Sequence, residues 1–290
     1  MKLCKDNGYS NLLVSDSSRL DLRNYALVKL YFEDNKPEVV IDAAAVVGGI
    51  WANSQNPYKF LMDNMLIQNN LIKAAHENEV KKFIFLGSSC IYPKLSPQPI
   101  KEEYLLTDTL EKTNEFYAIA KITGVKLCES IFHKHGKQFI SLMPTNLYGQ
   151  NDNFDKMTSH VLPAMINKFH EAKTKKVGIV ELWGDGTPYR EFMHVDDLAK
   201  AILFCCENKM VRHIYNVGSG EEISIKSLSK LVKEVIGFNG KICWNNSMPN
   251  GTPKKLLNSD KLNSMGWSTE VKLKDGISKT YKWYLKSIEN

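Results

Sequence analysis

The sequence of 290 residues has no apolar run long enough to span a membrane. The best run, from Val39 to Trp51, contains Asp42 and two glycines and is shorter than the roughly 20 residues of a membrane helix. The first seven residues have no apolar core of the kind that a signal peptide needs. We therefore expect no membrane association.

Cysteine is sparse and scattered, at positions Cys4, Cys90, Cys128, Cys205, Cys206 and Cys243. This spacing resembles neither a set of metal ligands nor the disulfide framework of a small secreted protein. The sequence predicts no metal site, reduced thiols and a cytoplasmic location.

Blocks of like charge are also missing. The 38 basic and 32 acidic residues are spread along the chain and leave a net charge of +6, so nucleic-acid binding is not indicated. A hydrophobic content of 43% and a charged content of 24% are typical of a globular protein with a large core. The mild positive charge gives weak support for an anionic substrate.

The first half of the chain alternates between strand-like and helix-like segments. The predicted strands are Asn11–Ser15, Val39–Ala43, Lys81–Gly87 and Phe139–Met143, and the predicted helices are Asn24–Glu33, Phe60–Asn78 and one beginning near Thr113–Glu115. Such alternation predicts an α/β fold, a doubly wound parallel sheet with helices on both faces. From about Gly149 the pattern is less regular, which favours a smaller C-terminal domain that covers a substrate.

A Gly-rich turn after the first strand, typical of dinucleotide-binding folds, is not found. Gly8 stands alone, and Gly48-Gly49 follow a later strand. Residues 1–8 read as the end of a first helix, so the first strand of the Rossmann-like sheet is expected to be absent. Losing a central strand leaves buried N–H and C=O groups unpaired. We favour a late start or a fragment, because the rest of the site looks complete. The alternative is a degenerate copy that no longer binds cofactor.

Tyr117 and Lys121 are the most informative pair in the chain. At i and i+4 they lie on one helix face, where the Lys charge is expected to lower the pKa of the phenol. Ser88 follows the strand 81–87, at the carboxyl end where α/β active sites lie. The three side chains suit protonation of a ketone oxygen during hydride transfer. A Tyr and a Lys on a solvated helix face is the alternative, which the flanking strands make less favourable.

Several further segments carry a resemblance that covers essentially the whole chain. The chain resembles the GDP-L-fucose synthases, extended short-chain dehydrogenases of the NAD-dependent epimerase/dehydratase family that act on nucleotide sugars. The matching segments are Gly87–Lys94, Met143–Gly149, Asp152–Phe154, Ser159–Val161, Trp183–Phe192, His194–Asp197, Asn250–Leu257 and Leu262–Trp267.

The resemblance implies 3,5-epimerisation of GDP-4-keto-6-deoxy-D-mannose, followed by hydride reduction at C4. Epimerisation needs a base and an acid on opposite faces of the sugar, and the resemblance assigns these roles to Cys90 and His160. Ser88, Tyr117 and Lys121 complete the implied catalytic set. The alternative, non-catalytic interpretation is that Cys90 is a small buried hydrophobic residue and that His160 is a hydrogen-bonded residue at the start of a helix.

The implied cofactor is NADP(H). Its expected contacts are Leu86, Gly87, Ser88, Ser89, Lys121, Pro144, Thr145, Asn146, Leu147 and His160. Asp16, at the end of the strand 11–15, would suit the free ribose hydroxyl of NAD instead. A loop carboxylate with no role is an equally favoured interpretation of Asp16.

The implied substrate contacts are Lys168, Trp183, Arg190 and Asn250. The family usually has Arg where Lys168 stands, so the charge is kept while the bidentate fork is lost. It often has Asp where Asn250 stands, which leaves the role of Asn250 open. Trp183 is alternatively a core residue.

The resemblance also divides the chain into interleaved domains. Residues 1–148 and about 190–217 are expected to bind the dinucleotide, and residues 149–189 and 218–290 the GDP-sugar. A homodimer is expected. Two alternatives stay open: a GDP-sugar 4-reductase without epimerase activity, and a truncated relative without catalysis.

Overall fold

The computed structural model describes residues 1–156, 158–248 and 250–289. These residues form ten strands: β1 (Val39–Asp42), β2 (Lys82–Leu86), β3 (Gln138–Pro144), β4 (Asn146–Tyr148), β5 (Ile179–Trp183), β6 (Tyr189–His194), β7 (Ile214–Val217), β8 (Glu222–Ser224), β9 (Lys241–Asn245) and β10 (Lys254–Lys255). They also form ten α-helices: α1 (Lys2–Asp6), α2 (Tyr25–Asn35), α3 (Ile50–Gln55), α4 (Pro57–Glu77), α5 (Glu115–His135), α6 (Val161–Thr174), α7 (Val195–Glu207), α8 (Ile225–Ile236), α9 (Asp260–Asn263) and α10 (Leu273–Glu289). Single 3₁₀ turns span Ser89–Ile91, Glu102–Tyr104 and Lys112–Asn114.

The main sheet is parallel, with the strand order β1-β2-β3-β7. Its central strands are rich in Phe and Ile, which favour a pleated surface buried on both faces. Phe83 lies opposite both Val40 and Phe139 in the register. The predicted parallel α/β sheet is confirmed, as are the strands expected near residues 39–43, 81–87 and 139–143.

Helices cover both faces of this sheet. One buried cluster joins Phe83 and Phe85 to Val125 of α5, and the other joins Ile84 and Ile140 to Leu198 of α7. Each such side chain, when fully buried, contributes about 1.5–3 kcal/mol. These two clusters pack β2 and β3 between helices, which fixes the position of their carboxyl ends.

A second part of the chain packs around its own apolar cluster. Strands β4, β6 and β10 form a parallel set with β8 antiparallel on β6, and β5 pairs with β9. Helices α6, α8 and α10 contribute Ile166, Leu228 and Ile277 to the buried cluster beside them. The division into 1–148 plus about 190–217 and the remainder stays a prediction.

The predicted strand Asn11–Ser15 is wrong, because this segment has no regular secondary structure. Leu13 and Val14 are 44% and 57% exposed. No described strand pairs with segment 11–15, and β1 is left at the edge of the sheet; a single strand without a partner is not stable in water. The predicted helices Asn24–Glu33, Phe60–Asn78 and the one beginning near residue 115 are confirmed as α2, α4 and α5.

Two further observations concern membrane spans and cysteines. No helix in the described ranges is long and apolar enough to cross a membrane. Each of the six cysteines carries a free thiol.

Candidate active site

Helix α5 approaches the end of β2 very closely. At Gly124 a β-carbon would lie 2.5 Å from the ring of Phe85, so only glycine permits this contact. The helix ends at Gly136 in the left-handed conformation, φ 66°, a common C-terminal cap. This packing buries Lys121, which is 3% exposed, and lets its Nζ donate to the carbonyl oxygen of Leu86 over 2.8 Å.

The loop after β2 brings Ser88 and Cys90 towards the same place. Gly87 donates its N–H to the carbonyl oxygen of Leu142 over 2.9 Å, and a β-carbon there would lie 2.3 Å from Met143. The Ser88 hydroxyl then accepts the N–H of Cys90 over 3.2 Å. Ser88 makes a hydrogen bond with the Tyr117 phenol, and Cys90 lies close enough for its charge to act on that phenol. The structure therefore brings Ser88, Cys90 and Tyr117 together.

The expected effect of Lys121 on Tyr117 is wrong for this arrangement. Burial raises the pKa of Tyr117, a nearby charge on Cys90 raises it further, and a hydrogen bond with Ser88 opposes both. The Nζ of Lys121 lies 6.0 Å from the centre of the phenol ring and is directed to Leu86. Tyr117 is therefore a protonated phenol near neutral pH.

Sequence reasoning missed Asp42, the last residue of β1. Its carboxylate is 2% exposed, and its Oδ2 has no hydrogen-bond partner among the described residues. Burial raises its pKa to about 6, against the opposing charge of Lys121 and a bond from the N–H of Ala44. Burial in turn lowers the pKa of Lys121, against the opposing charge of Asp42. The signal was an acid placed inside the apolar run Val39–Ala45.

A second missed residue is Lys255 on β10. Its Nζ lies 3.9 Å from the sulfur of Cys90, and its backbone pairs with that of Arg190 on β6. Burial lowers the pKa of Arg190, while charges on Cys90 and Glu111 oppose this. Cys90 therefore lies in a cationic environment. The segment Asn250–Leu257 was singled out in the sequence, but its spacing alone did not reveal which lysine faces the thiol.

Lys168 of α6 and Trp183 of β5 lie against each other. The Nζ of Lys168 lies 5.7 Å from the centre of a Trp183 ring and donates to the carbonyl oxygen of Glu181 over 3.1 Å. Burial lowers the pKa of Lys168, partly offset by Glu181. A cation held over an aromatic face can contact a phosphate and a planar base at once.

Asn250 holds a turn. Its Oδ1 accepts the N–H of Asp185 over 3.0 Å and fills the space that a β-carbon on Gly184 would need. Gly184 has φ 73°, where a side chain would be strained. This contact gives the amide a structural task beside the predicted substrate contact.

The segment after β3 is anchored by its side chains. Thr145 Oγ1 and Asn146 Nδ2 both donate to the carbonyl oxygen of Glu191, over 3.2 and 2.8 Å. Pro144 ends β3 and Leu147 is half-buried in β4. Their backbone follows the carboxyl end of β3, next in the sheet to the loop that carries Ser88 and the buried Ser89.

Asp16 caps a surface turn. Its Oδ1 accepts the N–H groups of Ser18 and Arg19 over 2.9 and 3.3 Å. Hydrogen bonds from Ser18 lower the pKa of this exposed carboxylate. The loop interpretation of Asp16 explains all of these contacts without a cofactor.

His160 lies on a separate element, at the N-cap of α6. No hydrogen bond between described residues joins it to Cys90 or Tyr117. The carbonyl oxygen of the preceding Ser159 lies 3.0 Å from where a β-carbon on Gly49 would be, and a β-carbon on Gly48 would lie 3.2 Å from the ring of Phe60. Phe60 packs edge-on against Tyr117. The side chain of His160 is exposed overall, but the loss of water around its ring lowers its pKa. The nearby carboxylate of Asp152 opposes this shift.

Residues 3–218 match the family described as NAD dependent epimerase/dehydratase. The chain belongs to the NAD-dependent epimerase/dehydratase family. It is also 52% identical to GDP-L-fucose synthase 1 of Arabidopsis thaliana over 286 residues, which cover 99% of this chain and 88% of the relative. The predicted resemblance is confirmed.

Solved structures of this family agree in fold. A GDP-6-OMe-4-keto-L-xylo-heptose reductase from C. jejuni is 35% identical with a TM-score of 0.93, covering 99% of this chain and 93% of the other. A GDP-L-fucose synthetase from Naegleria fowleri bound to NADP is 27% identical with a TM-score of 0.90, covering 100% and 90%.

Proposed function

We propose that this epimerase-family protein is a GDP-L-fucose synthase. It epimerises GDP-4-keto-6-deoxy-D-mannose at C3 and C5 and reduces the product at C4 to GDP-L-fucose. The observation that carries the proposal is the grouping of Ser88, Cys90 and Tyr117 beside the carboxyl end of β2. Similarity to named GDP-L-fucose synthases over nearly the whole chain supports the same substrate.

Tyr117 supplies the proton for reduction. A phenol whose pKa is raised stays protonated near neutral pH, so it gives its proton to the C4 oxygen as negative charge develops there. The hydroxyl of Ser88 donates a second hydrogen bond to the same oxygen. Burial of the phenol strengthens both interactions, because little water competes for the oxygen.

Cys90 and His160 carry the epimerisation in this proposal. Protons at C3 and C5 are acidic because the C4 ketone stabilises the carbanion. Cys90 acts as the base that removes them, with the Nζ of Lys255 3.9 Å from its sulfur. His160 returns a proton from the opposite face. Since its pKa is lowered, it does so after taking up a proton, which Asp152 favours.

NADP(H) is the proposed cofactor, and it supplies the hydride when bound. The donor set fits its nicotinamide end: Lys121 has three N–H donors, one of which is directed to Leu86, so two are available for ribose hydroxyls. The backbone of residues 144–147 borders the same place. The NADP-bound relative from Naegleria fowleri favours NADP over NAD.

The proposal is tested by supplying the purified chain with NADPH and GDP-4-keto-6-deoxy-D-mannose. NADPH oxidation and GDP-L-fucose formation are expected in equal amounts. Tyr117→Phe should lower turnover by about 10²–10⁴-fold, whereas Tyr31→Phe on α2 should not. A fluorescence titration with NADPH distinguishes the enzyme from a non-catalytic relative that does not bind the cofactor. Failure of the wild-type chain to bind NADPH would contradict the proposal.

A C4 reductase without epimerase activity is the second candidate, favoured by the likeness to the heptose reductase from C. jejuni. Product stereochemistry decides between the two. Reduction of the unepimerised ketone leaves a D-configured sugar, whereas the synthase yields the L-sugar. We favour the synthase because Cys90 lies 3.9 Å from the Nζ of Lys255 and close enough to the Tyr117 phenol for its charge to act on it.

A homodimer is proposed from an exposed apolar stripe on α4 and α5. Tyr58, Met62 and Leu66 recur every four residues on α4 and are 74%, 39% and 38% exposed. Phe116 and Ile119 are exposed on the adjoining α5. Leu66→Glu should yield monomers in light scattering, and Leu95→Glu, in an exposed loop, should not. A cytoplasmic location stays a prediction, favoured by the free thiols.

A further inference from the structure

Two histidines and a carboxylate gather at the end of α5 that is remote from the proposed active site. Glu129 and His133 lie one turn apart in the last two turns of this helix, whereas Tyr117 lies in its first turn. His213 comes from the residue directly before β7. The cluster therefore lies at the amino ends of β3 and β7, opposite to the edge that carries Ser88 and Cys90.

The spacing of the three side chains matches a metal site. Their potential ligand atoms all lie within 4.8 Å of one another. Glu129 Oε1 is 3.5 Å from His213 Nε2, and the two imidazole rings are 5.1 Å apart at their centres. Tetrahedral Zn²⁺ with bonds near 2.1 Å holds its ligand atoms about 3.4 Å apart. Small side-chain rotations of the exposed His133 complete this geometry.

Surrounding contacts orient two of the three groups. Lys126 donates to Glu129 Oε2 over 2.7 Å, which leaves Oε1 directed at His213. The carbonyl oxygen of His213 accepts the N–H of Ser141 over 2.7 Å, and so its backbone is fixed to the sheet. Such outer contacts are typical of metal-ligating residues.

We propose that Glu129, His133 and His213 bind one divalent transition-metal ion, such as Zn²⁺, with its remaining coordination position open to water. A bound ion ties the last turns of α5 to the start of β7. Its ligands come from segments that are separated by about 80 residues of sequence, so only the folded chain brings them together, and the ion stabilises the fold by RT ln(1 + [M]/Kd).

The test uses the untagged full chain with Zn²⁺ and Co²⁺. One equivalent of Zn²⁺ should bind and raise the melting temperature. Bound Co²⁺ should show visible absorption without the near-ultraviolet band of a thiolate ligand. His133→Gln and Glu129→Gln, whose side chains are solvent-accessible, should each weaken Zn²⁺ binding at least tenfold. His135→Gln, two residues further along the same helix, should bind as the wild type does.

Four results overturn the proposal. They are absence of Zn²⁺ binding, undiminished binding in both His133→Gln and Glu129→Gln, a thiolate band with Co²⁺, and loss of binding in His135→Gln alone. The last result would place the ion at the neighbouring His76–His135 pair, whose rings are 4.7 Å apart. Circular dichroism of each variant separates a lost ligand from a lost fold.

Discussion

Replacing Asp42 with Asn should stabilise the protein at neutral pH and do so less in acid. The carboxylate is buried at the end of β1, and its pKa is raised from 3.8 to about 6. The folded state therefore binds more protons than the unfolded state between these values, and stability falls as pH rises through this window. Asparagine stays uncharged and keeps an oxygen for the N–H of Ala44, which now lies 3.1 Å from Oδ1.

The size of the effect follows from the two pKa values. At 1.36 kcal/mol per pKa unit, the charged carboxylate costs about 3 kcal/mol at about pH 7.5. At about pH 5 the folded-state carboxyl is mostly protonated, and the cost falls to roughly 1.5 kcal/mol. Asp42→Asn should therefore raise the melting temperature by roughly 6 °C near pH 7.5, and by about half as much near pH 5.

Thermal unfolding by circular dichroism at several pH values measures this. Asp34→Asn, which removes an exposed carboxylate on α2, is the matched control and should leave the melting temperature nearly unchanged. An Asp42→Asn variant that is less stable than the wild type at pH 7.5 would refute the reasoning. So would a gain in stability that does not depend on pH.

Three further changes test single contacts. Lys255→Met should slow alkylation of Cys90, followed by peptide mass spectrometry, because reactive cysteines lie beside cations and this one is 3.9 Å from the sulfur; an unchanged rate would remove Lys255 from the site. Lys121→Met should raise the dissociation constant for NADPH in a fluorescence titration, and equal affinity would contradict its assigned contact. Asn250→Ala should cost about 1 kcal/mol in urea unfolding, since the N–H of Asp185 loses its acceptor; full stability would show that the turn does not need it.

Local sequence patterns predicted the parallel sheet well. The apolar runs around Phe83 and Phe139 are too short for helices and are bounded by polar residues, so strand was the favoured interpretation. The run Asn11–Ser15 is also short and apolar at its centre, yet it forms no strand. Its state depends on whether a neighbouring strand offers a ladder, which composition does not reveal.

Motifs predicted the contacts at the site that one short loop fixes. They did not predict properties that depend on how deeply a side chain is buried. Ser88 and Cys90 are two residues apart in one short loop, so their proximity could be predicted. The pKa of Tyr117 could not, because it depends on how deeply α5 packs at Gly124 and on where Lys121 directs its charge. Asp42 and Lys255 approach the site through strand register, which has no short-range signature.

The central claim is that Cys90 and Tyr117 perform separate proton transfers on one sugar. Incubation of the 4-ketone in deuterated water, with NMR analysis of the sugar, tests this most directly. We predict deuterium at C3 and C5 with the wild type, labelled but unreduced ketone with Tyr117→Phe, and no labelling with Cys90→Ser. Labelling at the wild-type rate in Cys90→Ser would contradict the account.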